Sequence, residues 1–97
     1  MLILVTYDVG GTNSRAGQKR LRHIAETCLN YGLRVQKSVF ECQVNPSEWE
    51  RLRATLLNTY KPEVDSLRFY FLGSNWKRRV EHHGICDTPD IEGTLII

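Results

Sequence analysis

The opening stretch Met1–Val9 is apolar on both of its alternating faces, with Ile3, Val5, Tyr7 and Val9 pointing one way and Leu2, Leu4 and Thr6 the other. A strand of that kind needs cover on both sides. Asp8 breaks the run, and Gly10-Gly11-Thr12-Asn13-Ser14 follows, a composition suited to a sharp turn. A carboxylate therefore stands at the C-terminal edge of a strand.

From Ala16 to Tyr31 the residues Leu21, Ile24, Ala25, Cys28 and Leu29 recur at helical spacing, with Gly32 placed to stop the helix in the C′ manner. Leu33–Val44 is β-prone and long enough for one strand or two, with Ser38, Phe40 and Cys42 on one face. Asn45-Pro46-Ser47 begins a second helix in which Trp49, Leu52, Leu56 and Tyr60 share a side, and Lys61-Pro62 ends it. Ser66–Leu72 alternates as a strand closed by Gly73, a short strand follows near Val80–His82, and Thr94–Ile97 is β-prone. The order predicts an α+β chain: a ferredoxin-like βαββαβ sandwich with a C-terminal β extension and two helices on one face of an antiparallel sheet.

At 97 residues, 41% hydrophobic and 25% charged, the chain supports one core and excludes a disordered or low-complexity reading. Residues 1–73 form the expected core and 74–97 the extension. The open sheet face calls for a partner because the first strand is apolar there too, and a two-fold homodimer packed through the sheet faces meets that need. The tail Leu95-Ile96-Ile97 is placed either on its own chain or on the sheet edge of the second copy.

The net charge of +2 hides an uneven distribution. Residues 10–40 hold Arg15, Lys19, Arg20, Arg22, Arg34 and Lys37 against the single acid Glu26, and Lys77, Arg78 and Arg79 cluster further on. Basic concentrations of this kind attract phosphates, and Arg15, Lys19 and Arg22 are spaced to track a backbone rather than to enclose one phosphate. The glycine-rich loop has neither the P-loop pattern nor the dinucleotide pattern, which disfavours a nucleotide-binding enzyme. Three cysteines without a C-x-x-C pair fit a reducing compartment, and the apolar opening is too short for a signal peptide or a membrane span, so a cytoplasmic location is expected.

Two readings of Asp8 stay open on spacing alone. Capping the following turn is the commoner use of such an acid. The other is one half of a Mg²⁺ site, completed by a second Asp8 across a dimer axis and directed at phosphodiester hydrolysis. His82, His83 and Cys86 lack the second ligand pair that a zinc site requires, and His23 sits among basic residues without a catalytic pattern.

Three ordered segments carry a family resemblance: Val5-Thr6-Tyr7-Asp8-Val9, Gln36-Lys37-Ser38-Val39-Phe40-Glu41, and Ser66-Leu67-Arg68-Phe69-Tyr70 followed by Leu72-Gly73. Over essentially its whole length the chain resembles the small CRISPR-associated Cas2 family, which partners the CRISPR integrase during spacer acquisition. Gly17-Gln18-Lys19-Arg20-Leu21-Arg22 resembles the branch found in type I systems. The resemblance implies a homodimer that holds duplex DNA for the integrase, and a Mg²⁺-dependent endonuclease activity on DNA or RNA. It assigns Asp8 to metal binding and catalysis at the dimer axis, reversing the preference for a turn cap, and it places Ser38 and Phe40 near the site as support. Arg15, Lys19, Arg22, Arg78 and Arg79 are the expected backbone contacts. Two other functions compete with it: a stand-alone toxin-type endoribonuclease, and a single-strand RNA reader using Arg68-Phe69-Tyr70-Phe71, which lacks the glycines of the RNA-recognition motif.

Overall fold

The computed structural model describes residues 1–73 and 80–85. Its elements run β1 (Leu2–Asp8), α1 (Arg15–Leu29), β2 (Gly32–Gln36), β3 (Val39–Gln43), α2 (Pro46–Thr59), β4 (Ser66–Leu72) and β5 (Val80–Gly84). The strands form one antiparallel sheet in the order β2-β3-β1-β4-β5. This is the ferredoxin-like βαββαβ arrangement with one strand added beyond β4, and β1 lies at its centre.

The register separates the two faces of the sheet. Ile3 and Val5 stand level with Cys42 and Phe40 of β3 and with Phe71 and Phe69 of β4, and these residues make the core beneath the helices. Ile24 and Cys28 of α1 and Trp49, Leu52 and Leu56 of α2 close that core from above. Trp49 packs edge-on against both Phe69 and Phe71. On the other side of the sheet, Leu2, Leu4, Thr6 and Asp8 share a face with Arg68, Tyr70, Leu72, Glu41 and Gln43. Of the aromatic run in β4 only Tyr70 faces outward, so the stacking platform of an RNA reader is missing.

Local chemistry explains the helix starts. Ser14 caps α1, its Oγ accepting from the Gly17 N–H at 3.1 Å. Asn45 caps α2 in a reciprocal box with Glu48, and Pro46 takes the first helical position.

Three expectations are corrected. The segment 33–44 forms two strands, as its length allowed, but Ser38 falls in the turn between them rather than on the face of Phe40 and Cys42. Leu29, placed on the core stripe of α1, is 54% exposed, because the buried arc runs through Ile24, Thr27 and Cys28. Gly32 is not a left-handed helix stop: α1 ends at Asn30 in helical geometry, and Gly32 opens β2, where a Cβ would meet the Glu41 carbonyl oxygen at 2.0 Å. It permits close strand approach.

The short strand expected near Val80–His82 extends to Gly84 and pairs with β4 of its own chain. Its charged residues are satisfied from above, since Arg53 of α2 donates from Nε to Glu81 at 2.8 Å and His83 meets the same carboxylate at 2.7 Å. Lys77, Arg78, Arg79, Cys86 and the tail Thr94–Ile97 lie outside the described residues.

Candidate metal and nucleic-acid site

Asp8 ends β1 on the open face and is exposed. Its partner in the sheet is Ser66 of β4, which in turn stands opposite Gly84 of β5. Among the described residues the Asp8 carboxylate makes no hydrogen bond or ion pair. The turn that follows is held by other groups. Ser14 Oγ donates to the Gly11 carbonyl at 2.7 Å, and the Gly10 N–H donates to Asp65 at 3.0 Å. Asp8 is thus not the cap of its own turn, which leaves its carboxylate available to a cation.

The frame behind this corner is built on a residue that sequence reasoning overlooked. Asp65 is fully buried, and its two oxygens accept from Arg20 Nε at 2.7 Å, Arg20 Nη2 at 3.1 Å, the Lys61 N–H at 2.8 Å and the Gly10 N–H at 3.0 Å. Arg20 also donates to the Gly10 carbonyl at 3.0 Å. One ion pair therefore ties α1 to both the loop after β1 and the loop before β4. Glycines let these segments touch: a Cβ on Gly10 would lie 2.5 Å from the Val64 carbonyl oxygen, and one on Gly17 would lie 2.0 Å from that of Gly11. Arg20, counted above with the phosphate-attracting residues, is committed to this pair. The one signal in the sequence is an acid placed directly before an apolar strand.

Burial raises the Asp65 pKa, but the Arg20 hydrogen bonds and the Lys61 and Gly10 N–H donors outweigh it and hold the carboxyl below its ordinary value. A depressed folded-state pKa contributes stability that is fully present above the unfolded-state value of about 4 and is lost as pH falls through the folded value. Glu81 is lowered in the same direction, burial being outweighed by Arg53 and His83. Thermal melts are expected to hold steady at neutral pH and fall progressively below about pH 4. A melting temperature that does not fall as the pH is lowered below about 4 would contradict this assignment.

The basic residues of α1 occupy the helical layer. Arg15, Lys19 and Arg22 are all exposed. Lys19, Arg22, His23 and Glu26 form one wall of an open groove of about 650 Å³, and Asn58 and Thr59 of α2 form the other. His23 Nδ1 approaches Thr59 Oγ1 at 3.5 Å. The groove and the Asp8 corner lie on opposite faces of the sheet, so these α1 residues do not gather around the candidate metal ligand.

Residues 1–80 match the family model described as CRISPR associated protein Cas2. The chain belongs to the Cas2 family. The "CRISPR-associated endoribonuclease Cas2" of Chlorobaculum tepidum is 63% identical over 97 residues, covering 100% of both chains. The "CRISPR-associated endonuclease Cas2" of Halalkalibacterium halodurans is 50% identical over 96 residues, covering 99% of each. Among solved structures, Streptococcus pyogenes Cas2 at pH 6.5 superposes with a TM-score of 0.69 at 54% identity, covering 84% of this chain and 96% of that one.

Within this Cas2 chain neither of the two expected support residues makes a hydrogen bond to the Asp8 carboxylate. Phe40 is fully buried and stacks on Tyr7 at 6.1 Å, with the Arg34 guanidinium 5.1 Å from its ring centre. It faces the helices, opposite to Asp8, and backs β1 rather than touching the carboxylate. Ser38 contributes its carbonyl, which accepts from the Tyr7 N–H at 3.1 Å. His82 and His83 turn to opposite faces by strand alternation, and among the described residues no three acidic, histidine or cysteine side chains cluster as a metal site. No helix among them is long and apolar enough to cross a membrane.

Proposed function

We propose that this Cas2 chain acts in CRISPR adaptation as a homodimer joined through its open sheet faces, binding duplex DNA for the integrase, with Mg²⁺-dependent endonuclease activity at paired Asp8 residues. The observation that carries this reading is the Asp8 carboxylate, exposed and without a described partner at the open-face end of the central strand. A single carboxylate is an oxygen donor suited to Mg²⁺, which keeps several waters and takes one or two carboxylates, so a second copy of Asp8 completes a reasonable donor set. Bound Mg²⁺ would neutralise charge on the phosphoryl oxygens and make water a better nucleophile. The apolar side chains left on the open face and its edges support the dimer, Leu33 being 71%, Val80 48% and Leu72 40% exposed. Arg15, Lys19 and Arg22, joined by Arg78 and Arg79, supply positive charge along the backbone of the bound duplex.

The test is cleavage of labelled duplex DNA and single-stranded RNA, with Mg²⁺ and with chelator, by purified protein and by its Asp8→Ala variant. Mg²⁺-dependent cutting that the variant lacks is expected, together with sedimentation at the mass of a dimer. Cutting that persists in Asp8→Ala, or a monomer at micromolar concentration, would overturn the reading.

A second reading is the stand-alone toxin-type endoribonuclease, for which the word "endoribonuclease" in the names of relatives supports RNA as the substrate. It predicts cleavage of cellular RNA with no partner. Copurification with the integrase and retained duplex binding would decide for the adaptation role.

A further inference from the structure

The corner that carries Asp8 holds a polar pair with no role in the chemistry above. Ser66 stands directly opposite Asp8 in the β1–β4 register and on the same face, which sets their Cβ atoms about 4.5–5.5 Å apart. His82 of β5 is turned to that face too, with Nε2 2.9 Å from Ser66 Oγ and 3.0 Å from the Ile85 carbonyl oxygen. A carbonyl oxygen only accepts, so Nε2 at that distance must carry a proton. The neutral imidazole in this tautomer and the imidazolium both satisfy the requirement.

The single Nε2 N–H is shared between the Ile85 carbonyl and Ser66 Oγ, and a protonated Nε2 cannot accept from the hydroxyl. The hydroxyl's own proton is left to point elsewhere, and among the described residues no acceptor takes it, Asp8 included. Arg68 stands level with His82 on the same face and adds positive charge to the corner.

We propose that Ser66 donates this proton in a hydrogen bond to a non-bridging oxygen of a phosphodiester lying against Asp8, and that His82 is the positioning residue that fixes the direction of the donation. The inference rests on the reading of Asp8 as the group that faces the phosphodiester. An ionised phosphate oxygen is a strong acceptor, and a hydroxyl already locked by a second hydrogen bond loses little freedom in meeting it.

The test is fluorescence anisotropy of labelled duplex DNA and single-stranded RNA with the full chain, Ca²⁺ replacing Mg²⁺ so that the strands stay intact. Ser66→Ala and His82→Leu should each weaken binding by about five- to tenfold, the scale of one hydrogen bond to a charged group at a partly wet site. Ser66→Thr, which keeps the hydroxyl, and His82→Gln, which keeps an N–H donor, should stay within about twofold of the parent. Melting curves and sedimentation confirm that each variant is a folded dimer. Parent-like affinity in a folded Ser66→Ala overturns the proposal, as does a loss in His82→Leu that Ser66→Ala does not share. Cleavage in Mg²⁺ by the parent and Asp8→Ala reports separately on the hydrolytic reading: failure there with the Ser66 loss intact removes the chemistry and leaves the phosphate contact.

Discussion

Asp65→Ala is expected to lower stability by about 3–5 kcal/mol, the usual consequence of removing one member of a buried ion pair. For a domain of this size that corresponds to a fall in Tm of roughly 15 °C or more. The loss is large because four donor contacts converge on the one carboxylate, and Arg20, the Lys61 N–H and the Gly10 N–H are all left without their acceptor. Arg20→Lys should fall between parent and Asp65→Ala, since a lysine ammonium cannot reproduce the paired donation from Nε and Nη2 while also reaching the Gly10 carbonyl. Differential scanning calorimetry at neutral pH reads both. A Tm for Asp65→Ala within about 3 °C of the parent would show that the pair is not what joins α1 to the two loops.

Asp8→Ala should behave in the opposite way. The side chain is exposed and makes no described contact, so its removal should change stability by no more than about 0.5 kcal/mol. Two like carboxylates facing each other in a dimer would repel without a cation, and their replacement should leave the dimer as stable as before or more so. Mg²⁺-dependent cleavage, by contrast, should drop by about 100-fold or more, because the charge stabilisation that depends on this ligand is lost outright. The informative result is the combination of a parent-like Tm and dimer with absent cleavage. A variant that unfolds, or that falls apart to monomers, would instead make Asp8 a structural residue.

Much of the fold could be read from local patterns. The alternating apolar run of β1 indicated a strand, and the spacing of Trp49, Leu52 and Leu56 indicated the buried side of α2. What could not be read depends on groups that meet only after folding. Asp65 looks like an ordinary turn acid until Gly10, Lys61 and Arg20 arrive around it from positions 55, 4 and 45 residues away. Phe40 matched a family motif, but its motif position says nothing of which face it points to; pairing with Val5 turns it toward the helices. The Ser66–His82 pair needed the β4–β5 register, which no periodicity in the short, charged segment Val80–Gly84 specifies. Asp8 was legible as a strand-end carboxylate, whereas its lack of an internal partner became visible only with the loop's actual ties in place.

The position of β1 also bears on how the chain is made. This strand is made well before its neighbours β3 and β4, which begin at Val39 and Ser66. Until those residues emerge, both of its edges offer unpaired N–H and carbonyl groups beside an apolar surface, the combination most prone to pair with another chain. Synthesis of the stretch between β1 and β4 thus produces a segment that cannot yet bury its most adhesive part, and the closing contacts, Leu2 with Leu72 among them, join residues far apart in sequence. Slowed translation before Leu72 should therefore send more of the protein into aggregates than the same delay imposed after it.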